Sequence, residues 1–348
     1  MKPRLRLALL ASLASLASFP SLAAPAAVTA EILEVKKIWD AGHHNAFTDL
    51  VRWRERWWCT FREAEDHVGG DGAIRVLTSA DGVRWESAAL ITESGIDLRD
   101  SKFSVTPAGK LMLNCGGSVY GGTKVLKSRQ SRVMFSDDGF KWTAPQRVLH
   151  VGEWLWRVTW HNGVAYGAAY DSKTASNAPS GPEWLLNLYK STDGITWDLV
   201  KKLEVAGRPN ETTLRFEPDG TMLALVRREG DDRMGHIGRA KPPYTDWKWQ
   251  ATNHRFGGQN ALRLPSGAWL VATRDYTAMK PGVPGGARTM LGQLQPDGKI
   301  ATLATFPSNG DTSYPAMVPH GGQLWFSYYS SHEGKTSIYL ARVKLTEK

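Results

Sequence analysis

A seven-residue pattern, Ser-x-Asp-Gly-x-x-Trp, occurs three times in this chain. It reads SADGVRW at 79–85, SDDGFKW at 136–142 and STDGITW at 191–197, so successive copies start 57 and 55 residues apart. A repeat period of this size is typical of solenoids, propellers and arrays of similar units. The period therefore restricts the chain to folds built from one repeated supersecondary unit.

Hairpin signals recur in the same phase and identify what each unit contains. Glycine turns lie between runs of alternating apolar residues, which is the usual signature of two paired strands. Six such units are found, beginning with FTDLVRWRERWWCTFRE and ending with YPAMVPHGGQLWFSYYS. Their turns include PAG at 107–109, HNG at 161–163, PDG at 218–220, PSG at 265–267 and HGG at 320–322.

These repeats predict an all-β, six-bladed β-propeller. Helical periodicity is nearly absent, and 15 Trp and 34 Gly suit short strands joined by packed turns. The last unit, TSIYLARVKL, supplies only a third strand. The early segment EILEVKKIW at 31–39 could add the missing outer strand, closing the ring and leaving no open sheet edge.

The repeated turn itself is predicted to be structural. An Asp carboxylate can accept backbone N–H groups within a turn, and Gly permits a positive φ. The Trp can pack between neighbouring sheets. We therefore expect the three turns to hold blades together and not to contact substrate.

The N-terminus has the pattern of a secretory signal peptide. MKPRLR is followed by the apolar stretch LALLASLASLASF, which is too short to span a bilayer, and by the small residues SLAAPAA. This assigns residues 1–30 to a signal peptide with a short linker and residues 31–348 to a single propeller domain. The mature protein is predicted to be secreted, to the periplasm or beyond, with no membrane span.

Charge and cysteine content set weaker limits. Removing residues 1–30 takes away three cations and no acids, so the formal net charge falls from +9 to +6. That excess could favour an acidic ligand or be an ordinary solvated surface, and no nucleic-acid-binding motif accompanies it. Cys59 and Cys115 lie in apolar segments, where either a disulfide or two buried thiols is possible.

In a propeller, the innermost strand of each blade starts at one end of a central channel. These strand starts form a ring around one pocket, so the residues there are candidate functional residues. Aligning the repeats on their hairpin glycines places Asp100, Glu211 and Gln259 at equivalent positions, with Tyr314 close to them. Arg62, Arg227 and Arg274 align where the second strands end. Carboxylates, arginines and a tyrosine at one mouth suit binding of an acidic, polar ligand.

The repeated turns resemble the Asp boxes of the sialidase-like (BNR-repeat) superfamily, and the resemblance covers essentially the whole mature chain, which diverges from the true exo-sialidases. NETTLRFEPDGTMLALVRR is similar to the family segment that carries the general-base Glu and a carboxylate-binding Arg, which implies Glu211 and Arg227. ARTMLGQLQPDG resembles the strand opening with a further Arg of the triad, here Arg288. SYPAMVPHGGQLWFSYYS resembles the segment with the nucleophilic Tyr, which implies Tyr314.

A Tyr–Glu pair makes chemical sense for an acidic sugar. A phenol with a pKa near 10 is a poor nucleophile, and a neighbouring carboxylate can take its proton. A neutral phenol also avoids repulsion from a carboxylate on the anomeric carbon. Sialidases depart in this way from glycosidases that use two carboxylates.

The sequence departs from the family in two places. The family's first Arg is missing from HHNAFTDL, where His43 or His44 could stand instead, or Arg62 could reach in. The family's acid is an Asp in the loop after the first hairpin. That loop here is EAEDHVGGDG, which offers Asp66, His67 and Asp71 without a clear choice.

Several alternatives therefore stay open. The leading prediction is an exported glycoside hydrolase that cleaves a terminal acidic sugar from a glycan. Related propellers include lyases and hydrolases for uronate-linked rhamnose, and here such an enzyme would work through His44 or His67. A carbohydrate-binding propeller without catalysis is a third possibility. The histidines show no tight spacing such as His-x-His, so no metal and no cofactor are predicted.

Overall fold

The computed structural model describes residues 26–172, 184–280 and 285–348. Its strands form six four-stranded sheets in which neighbouring strands pair antiparallel. No α-helix occurs in the described ranges, and none of their segments is a helix that could cross a membrane. The predicted all-β, six-bladed propeller is confirmed.

The first three blades each run in chain order from the innermost to the outermost strand. Blade one contains β2 (His44–Trp53), β3 (Arg56–Ala64), β4 (Ala73–Ser79) and β5 (Glu86–Ile91). Blade two contains β6 (Asp97–Val105), β7 (Leu111–Val119), β8 (Ser128–Ser136) and β9 (Gln146–Val148). Blade three contains β10 (Trp154–His161), β11 (Val164–Asp171), β12 (Leu185–Ser191) and β13 (Asp198–Lys202).

The next two blades repeat this order, and the sixth is completed from the N-terminus. Blade four contains β14 (Pro209–Phe216), β15 (Met222–Arg228), β16 (Met234–Ala240) and β17 (Lys248–Arg255). Blade five contains β18 (Asn260–Arg263), β19 (Trp269–Asp275), β20 (Arg288–Leu294) and β21 (Ile300–Thr305). Blade six contains β22 (Thr312–His320), β23 (Gln323–Ser330), β24 (Ser337–Glu347) and β1 (Val28–Trp39).

The ring closes through antiparallel pairing of β1 with β24, as the sequence predicts. The pairing extends from Val28 opposite Glu347 to Trp39 opposite Ile338. The strand β1 begins before residue 31, the predicted start of the domain, and most of the predicted signal peptide lies outside the described residues. Pairing the two ends of the chain in one sheet removes two exposed sheet edges.

The three repeated turns have the predicted hydrogen bonds. In the first, Oδ1 of Asp81 accepts the amides of Val83 and Arg84 at 2.8 and 2.9 Å, and Gly82 has φ 73°. Asp138 and Asp193 accept the equivalent amides in the other two turns. All three turns join a third strand to a fourth, away from the innermost strands, so they act as structural elements.

The innermost strands β2, β6, β10, β14, β18 and β22 contact one another in sequence around the axis. One apolar cluster crosses this ring and includes Phe47, Trp156 and Tyr314. Cys59 and Cys115 lie in β3 and β7 as buried, unpaired thiols, so the disulfide is not formed. The core thus reaches the channel mouth, where the candidate residues lie.

Candidate active site

A bulge occurs at the same register in five innermost strands. In β2, for example, two residues lie opposite one residue of β3 between the pairs Ala46–Arg62 and Asp49–Thr60. Bulges bend a strand and change the direction of its side chains. The paired bulge residues are Phe47–Thr48, Asp100–Ser101, Trp156–Arg157, Asn210–Glu211 and Tyr314–Pro315.

This register corrects the alignment based on hairpin glycines. Asp100 and Tyr314 are both first residues of their bulges, and both have positive φ, 59° and 53°. Glu211 is the second residue of its bulge, one position later than Asp100. A non-glycine residue in this conformation costs about 1–2 kcal/mol, so packing around the channel must hold both residues in place.

Tyr314 and Glu211 meet inside a pocket of about 380 Å³ at the channel mouth, and both line it. The Tyr314 hydroxyl donates a 2.6 Å hydrogen bond to Oε1 of Glu211, although 103 residues separate them. The same oxygen accepts Nη1 of Arg227 at 2.9 Å, and Oε2 accepts the Gly258 amide at 2.8 Å. The predicted base, nucleophile and one predicted arginine therefore form one hydrogen-bonded group.

The protonation states of this pair follow from their surroundings. Burial alone would raise the pKa of Glu211, but the Arg227 charge and the hydrogen bonds from Tyr314 and the Gly258 amide hold that pKa below its ordinary value. Burial, together with the charges of Glu211 and Asp100, raises the pKa of Tyr314 well above 10. The resting pair is thus a carboxylate beside a neutral phenol.

Asp100 also lines the pocket, as a buried carboxyl group. Its Oδ1 is buried and has no hydrogen-bond partner in the part of the chain that the structure describes. Burial raises its pKa above the ordinary value, despite the nearby charges of Arg99 and Lys102. An unsatisfied buried carboxyl oxygen is costly, which makes Asp100 a candidate ligand-contacting group.

Four of the predicted substrate-binding residues do not line the pocket, namely Arg62, Arg274, Arg288 and Gln259. Arg62 is fully buried and pairs with Asp97 at 2.6 Å, and Arg274 donates to backbone and tyrosine oxygens. Arg288 is exposed at the start of β20, opposite Asp275. Gln259 is fully buried and donates to the carbonyl of Glu211. The structure therefore does not bring the expected arginine triad together.

Different arginines line the pocket with Arg227. They come from β6, β8 and the loops before β14 and β16, and they are Arg99, Arg129, Arg208 and Arg233. These four arginines follow no shared register, so alignment of the repeats has no signal for them. The pocket is strongly basic, with five arginines against Asp100, Glu211 and Glu229.

The loop after β3 separates its three acid candidates. Asp66 is exposed and pairs with Lys124 at 2.7 Å, and this hydrogen bond lowers its pKa. Asp71 accepts the amide of Gly95 at 2.9 Å. Neither aspartate lines the pocket, whereas His67 does. The loop therefore presents an imidazole, not a carboxyl group, to the pocket that the Tyr–Glu pair lines.

His67 belongs to a hydrogen-bonded cluster centred on Asp311. Nδ1 of His67 and Nε2 of His44 lie 2.7 and 2.9 Å from Oδ2 of Asp311, and the Tyr329 hydroxyl donates to Oδ1 at 2.7 Å. Burial would raise the pKa of Asp311, but its bonds to both histidines keep that pKa far below the ordinary value. Burial lowers the pKa of His44 despite Asp311. His43 is exposed, and its Nδ1 lies 3.6 Å from Oε2 of Glu65.

The same cluster has the composition of a possible metal site. One ligand atom each from His44, His67 and Asp311 lies within 4.8 Å of the others, although the sequence shows no close histidine spacing. However, both imidazoles already bond the one carboxylate oxygen, and Nδ1 of His44 is buried without a partner among the described residues. Metal-bound imidazoles usually donate that second nitrogen to an oxygen, so the cluster fits a proton-holding group better.

No family model matches the sequence, and a search of the curated proteins finds no significant match. Solved structures do match over most of the chain. A protein of unknown function from Dyadobacter fermentans superposes with a TM-score of 0.74 at 18% identity, covering 91% of this chain and all of the other.

Two glycoside hydrolases are also similar in structure. The Trypanosoma rangeli sialidase, solved with the inhibitor DANA, has a TM-score of 0.63 at 12% identity, and the match covers 90% of this chain but 59% of the sialidase. The Penicillium chrysogenum α-L-arabinanase complexed with arabinobiose has a TM-score of 0.67 at 13% identity, covering 89% and 98%. The fold of this chain is thus that of the sialidase-like six-bladed propellers, which the resemblance in sequence predicted.

Proposed function

We propose that this protein is an exported glycoside hydrolase that cleaves a terminal acidic sugar from a glycan. The observation that carries the proposal is the 2.6 Å hydrogen bond from Tyr314 to Glu211 inside the basic pocket. A nucleophile bonded to a base within a ligand-sized pocket is the arrangement that covalent catalysis requires. The fold shared with propeller glycosidases supports it, but fold alone does not assign a reaction.

In the first step, the Tyr314 oxygen attacks the anomeric carbon as Glu211 takes the phenol proton. The bond from that carbon to the glycosidic oxygen breaks, and His67 gives the leaving oxygen a proton. Asp311 orients His67 through its 2.7 Å hydrogen bond.

In the second step, His67 takes a proton from water, and the resulting hydroxide attacks the anomeric carbon. The bond to Tyr314 breaks, and Glu211 returns the proton to the phenolate. Each residue regains its starting state, and no external reductant or metal is needed. Two displacements at one carbon give overall retention of configuration.

The test uses purified protein with fluorogenic sialosides and uronate glycosides. We expect cleavage of at least one class, loss of more than about 100-fold in Tyr314→Phe, and retention in the product anomer by NMR. A slow fluorinated glycosyl fluoride of the same sugar should label Tyr314, detected by peptide mass spectrometry. Tyr328→Phe removes another buried hydroxyl, bonded to the Pro307 carbonyl, and serves as the control. Full activity of Tyr314→Phe would contradict the assignment.

The position of His67 in the pocket also favours a second candidate, a lyase or rhamnosyl-uronate hydrolase in which histidine does the proton transfer. A lyase abstracts the proton next to the uronate carboxylate and leaves an unsaturated, ultraviolet-absorbing product. Hydrolysis leaves none. Absorbance of the digestion products therefore separates the two, and glycan binding with no turnover of either kind would indicate a carbohydrate-binding propeller.

A further inference from the structure

The arginine predicted to bind a substrate carboxylate has no nitrogen to spare. Arg227 uses Nη1 on Glu211 at 2.9 Å, and its Nε and Nη2 lie 2.7 and 2.5 Å from Oε1 of Glu229. Its charge is therefore balanced inside the protein. Arg227 sets the ionisation of Glu211, and a cation that is not already paired suits a substrate carboxylate better.

Arg99 has the free donors that Arg227 lacks. Its Nη1 contacts the Tyr120 hydroxyl at 3.3 Å and Asp97 at 3.5 Å. Within residues 26–172, 184–280 and 285–348, its Nε and Nη2 have no hydrogen-bond partner. Arg99 is only 9% exposed, yet it lines the pocket. Its uncommitted edge is thus held in place and open to the pocket alone.

The free edge has the geometry that a carboxylate needs. The N–H groups of Nε and Nη2 lie side by side in the guanidinium plane and can donate two parallel bonds to the two carboxylate oxygens. Burial opposes the charge of Arg99, but Asp100 and Asp97 raise its pKa above the ordinary value, so it stays cationic.

Arg99 is also close to the reacting pair. Its guanidinium lies over the ring of Phe47, 4.9 Å from the centroid, and Phe47 packs on Tyr314 with centroids 4.8 Å apart. A sugar placed over Tyr314 with its carboxylate toward blade two would therefore meet Arg99. This direction differs from that of Arg274 and Arg288 in blade five.

Arg129 adds a second donor in the same wall. It lies over the rings of Trp154 and Tyr170, which also line the pocket. Its Nε and Nη2 donate to Gly152 and Ser172, while Nη1 has no partner among the described residues. Aromatic faces beside it suit the apolar face of a sugar ring.

We propose that Arg99, assisted by Arg129, binds the carboxylate of the acidic sugar, and that this pair takes the place of an arginine triad. The inference rests on the proposed function for the location of the reacting sugar. It names the substrate class as a sugar that carries a carboxylate, a hexuronate or a sialate, held by blade two.

Binding is measured by calorimetry with N-acetylneuraminate and glucuronate, each compared with its methyl ester. We expect the preferred acid to bind at least about 10-fold more tightly than its ester, because hydrogen bonds to an ionised carboxylate are stronger than those to a neutral ester. Arg99→Gln should remove this preference, and Arg99→Lys should restore only part of it because lysine cannot make the two-bond contact. Arg129→Gln should weaken the preference less.

Arg84→Gln is the control, since it removes the same charge from an exposed turn, where the Arg84 side chain is 91% exposed. Unfolding curves check that Arg99→Gln is folded, and Asp97 keeps its bond to Arg62 in that variant. Equal binding of acid and ester, or an acid preference unchanged in Arg99→Gln, would overturn the inference. If the preference depends on Arg99 but no glycoside is cleaved, the proposed hydrolysis fails and the carboxylate site stands.

Discussion

Gly258 lies directly against the ring of Tyr314: a Cβ atom on Gly258 would be 2.5 Å from the tyrosine Cδ2. The Gly258 amide also donates to Oε2 of Glu211 at 2.8 Å. One residue of blade five thus positions both partners of the Tyr–Glu pair. Its φ of 64° is a conformation that other residues adopt only with strain.

We therefore expect Gly258→Ala to reduce activity more than stability alone explains. Gly109→Ala is the matched control, because Gly109 has φ 75° and open space where a Cβ would stand. Gly109→Ala should lower the free energy of unfolding by about 1–2 kcal/mol and leave kcat unchanged. Gly258→Ala should cost more and lower kcat, as measured by denaturant unfolding and steady-state kinetics on folded samples. Equal kcat values in the two variants would contradict this role.

His67 is predicted to protonate the leaving oxygen, and the dependence on leaving group tests that. Removing the acid should lower the rate about 100- to 10,000-fold for a natural glycan, whose alcohol leaves poorly. An aryl glycoside with an acidic phenol needs little protonation, so His67→Ala should affect it far less. The comparison of kcat/KM for the two substrates is the measurement.

Asp66→Asn and Asp71→Asn serve as controls from the same loop. Neither side chain lines the pocket, since Asp66 pairs with Lys124 and Asp71 accepts the Gly95 amide, so both variants should keep the wild-type ratio between substrates. A loss confined to either aspartate would assign the acid there instead. A chelator should leave activity unchanged. Loss of activity on chelation would mean that the His44–His67–Asp311 cluster holds a metal.

The fold could be predicted from local signals, whereas much of the site could not. Hairpin glycines and repeated turns identify strands, because they depend on neighbours within a few residues. The bulges do not have such a signal. Arg62, Arg228 and Arg274 share one register, opposite Ala46, Pro209 and Gly257, while Arg227 lies one position earlier. A shift of one residue moves a strand side chain to the other face, which separates Arg227 from Arg62 and Arg274.

Long-range contacts explain the remaining differences. Tyr314 and Glu211 could be predicted through a family resemblance, and the structure brings them together. Asp311 contacts His44 and His67 across 267 and 244 residues, and no pattern around DTSY points to it. Such a cluster depends on side-chain contacts between blades one and six, which no local motif encodes.

The pH dependence of activity should report on Arg227. Glu211 must be ionised to accept the Tyr314 proton, and its pKa is held below its ordinary 4.5 despite burial, with the Arg227 charge the largest opposing cause. Wild-type activity should therefore persist until the pH falls below 4.5. Arg227→Gln removes this charge, so burial should raise the pKa of Glu211. The acid limb of the pH–rate profile should therefore move to higher pH. Arg263→Gln breaks a 2.8 Å pair with Glu217 far from the pocket and should leave the limb in place. An unmoved limb in Arg227→Gln would show that Glu211 is not the titrating base.

The buried Lys102 beneath the pocket should make the stability of the protein depend on pH. Lys102 is 1% exposed, donates to the carbonyls of Thr48 and Ser101 at 3.2 Å, and lies 5.3 Å from the Tyr314 ring centroid. Burial lowers its pKa from 10.5 to about 8, despite the opposing charge of Asp49. Between these two values the unfolded chain holds a proton that the folded chain has lost.

Stability rises with pH wherever the unfolded state binds more protons. The Lys102 contribution should therefore increase the free energy of unfolding as the pH goes from about 8 to 10.5, and Lys102→Met should lack this increase. Buried tyrosines with raised pKa values act in the opposite direction in both proteins, so the difference between the two curves isolates Lys102. Denaturant unfolding across this range measures it. Parallel curves would mean that Lys102 titrates in the folded protein as it does in the unfolded chain, and that its buried position carries no electrostatic cost.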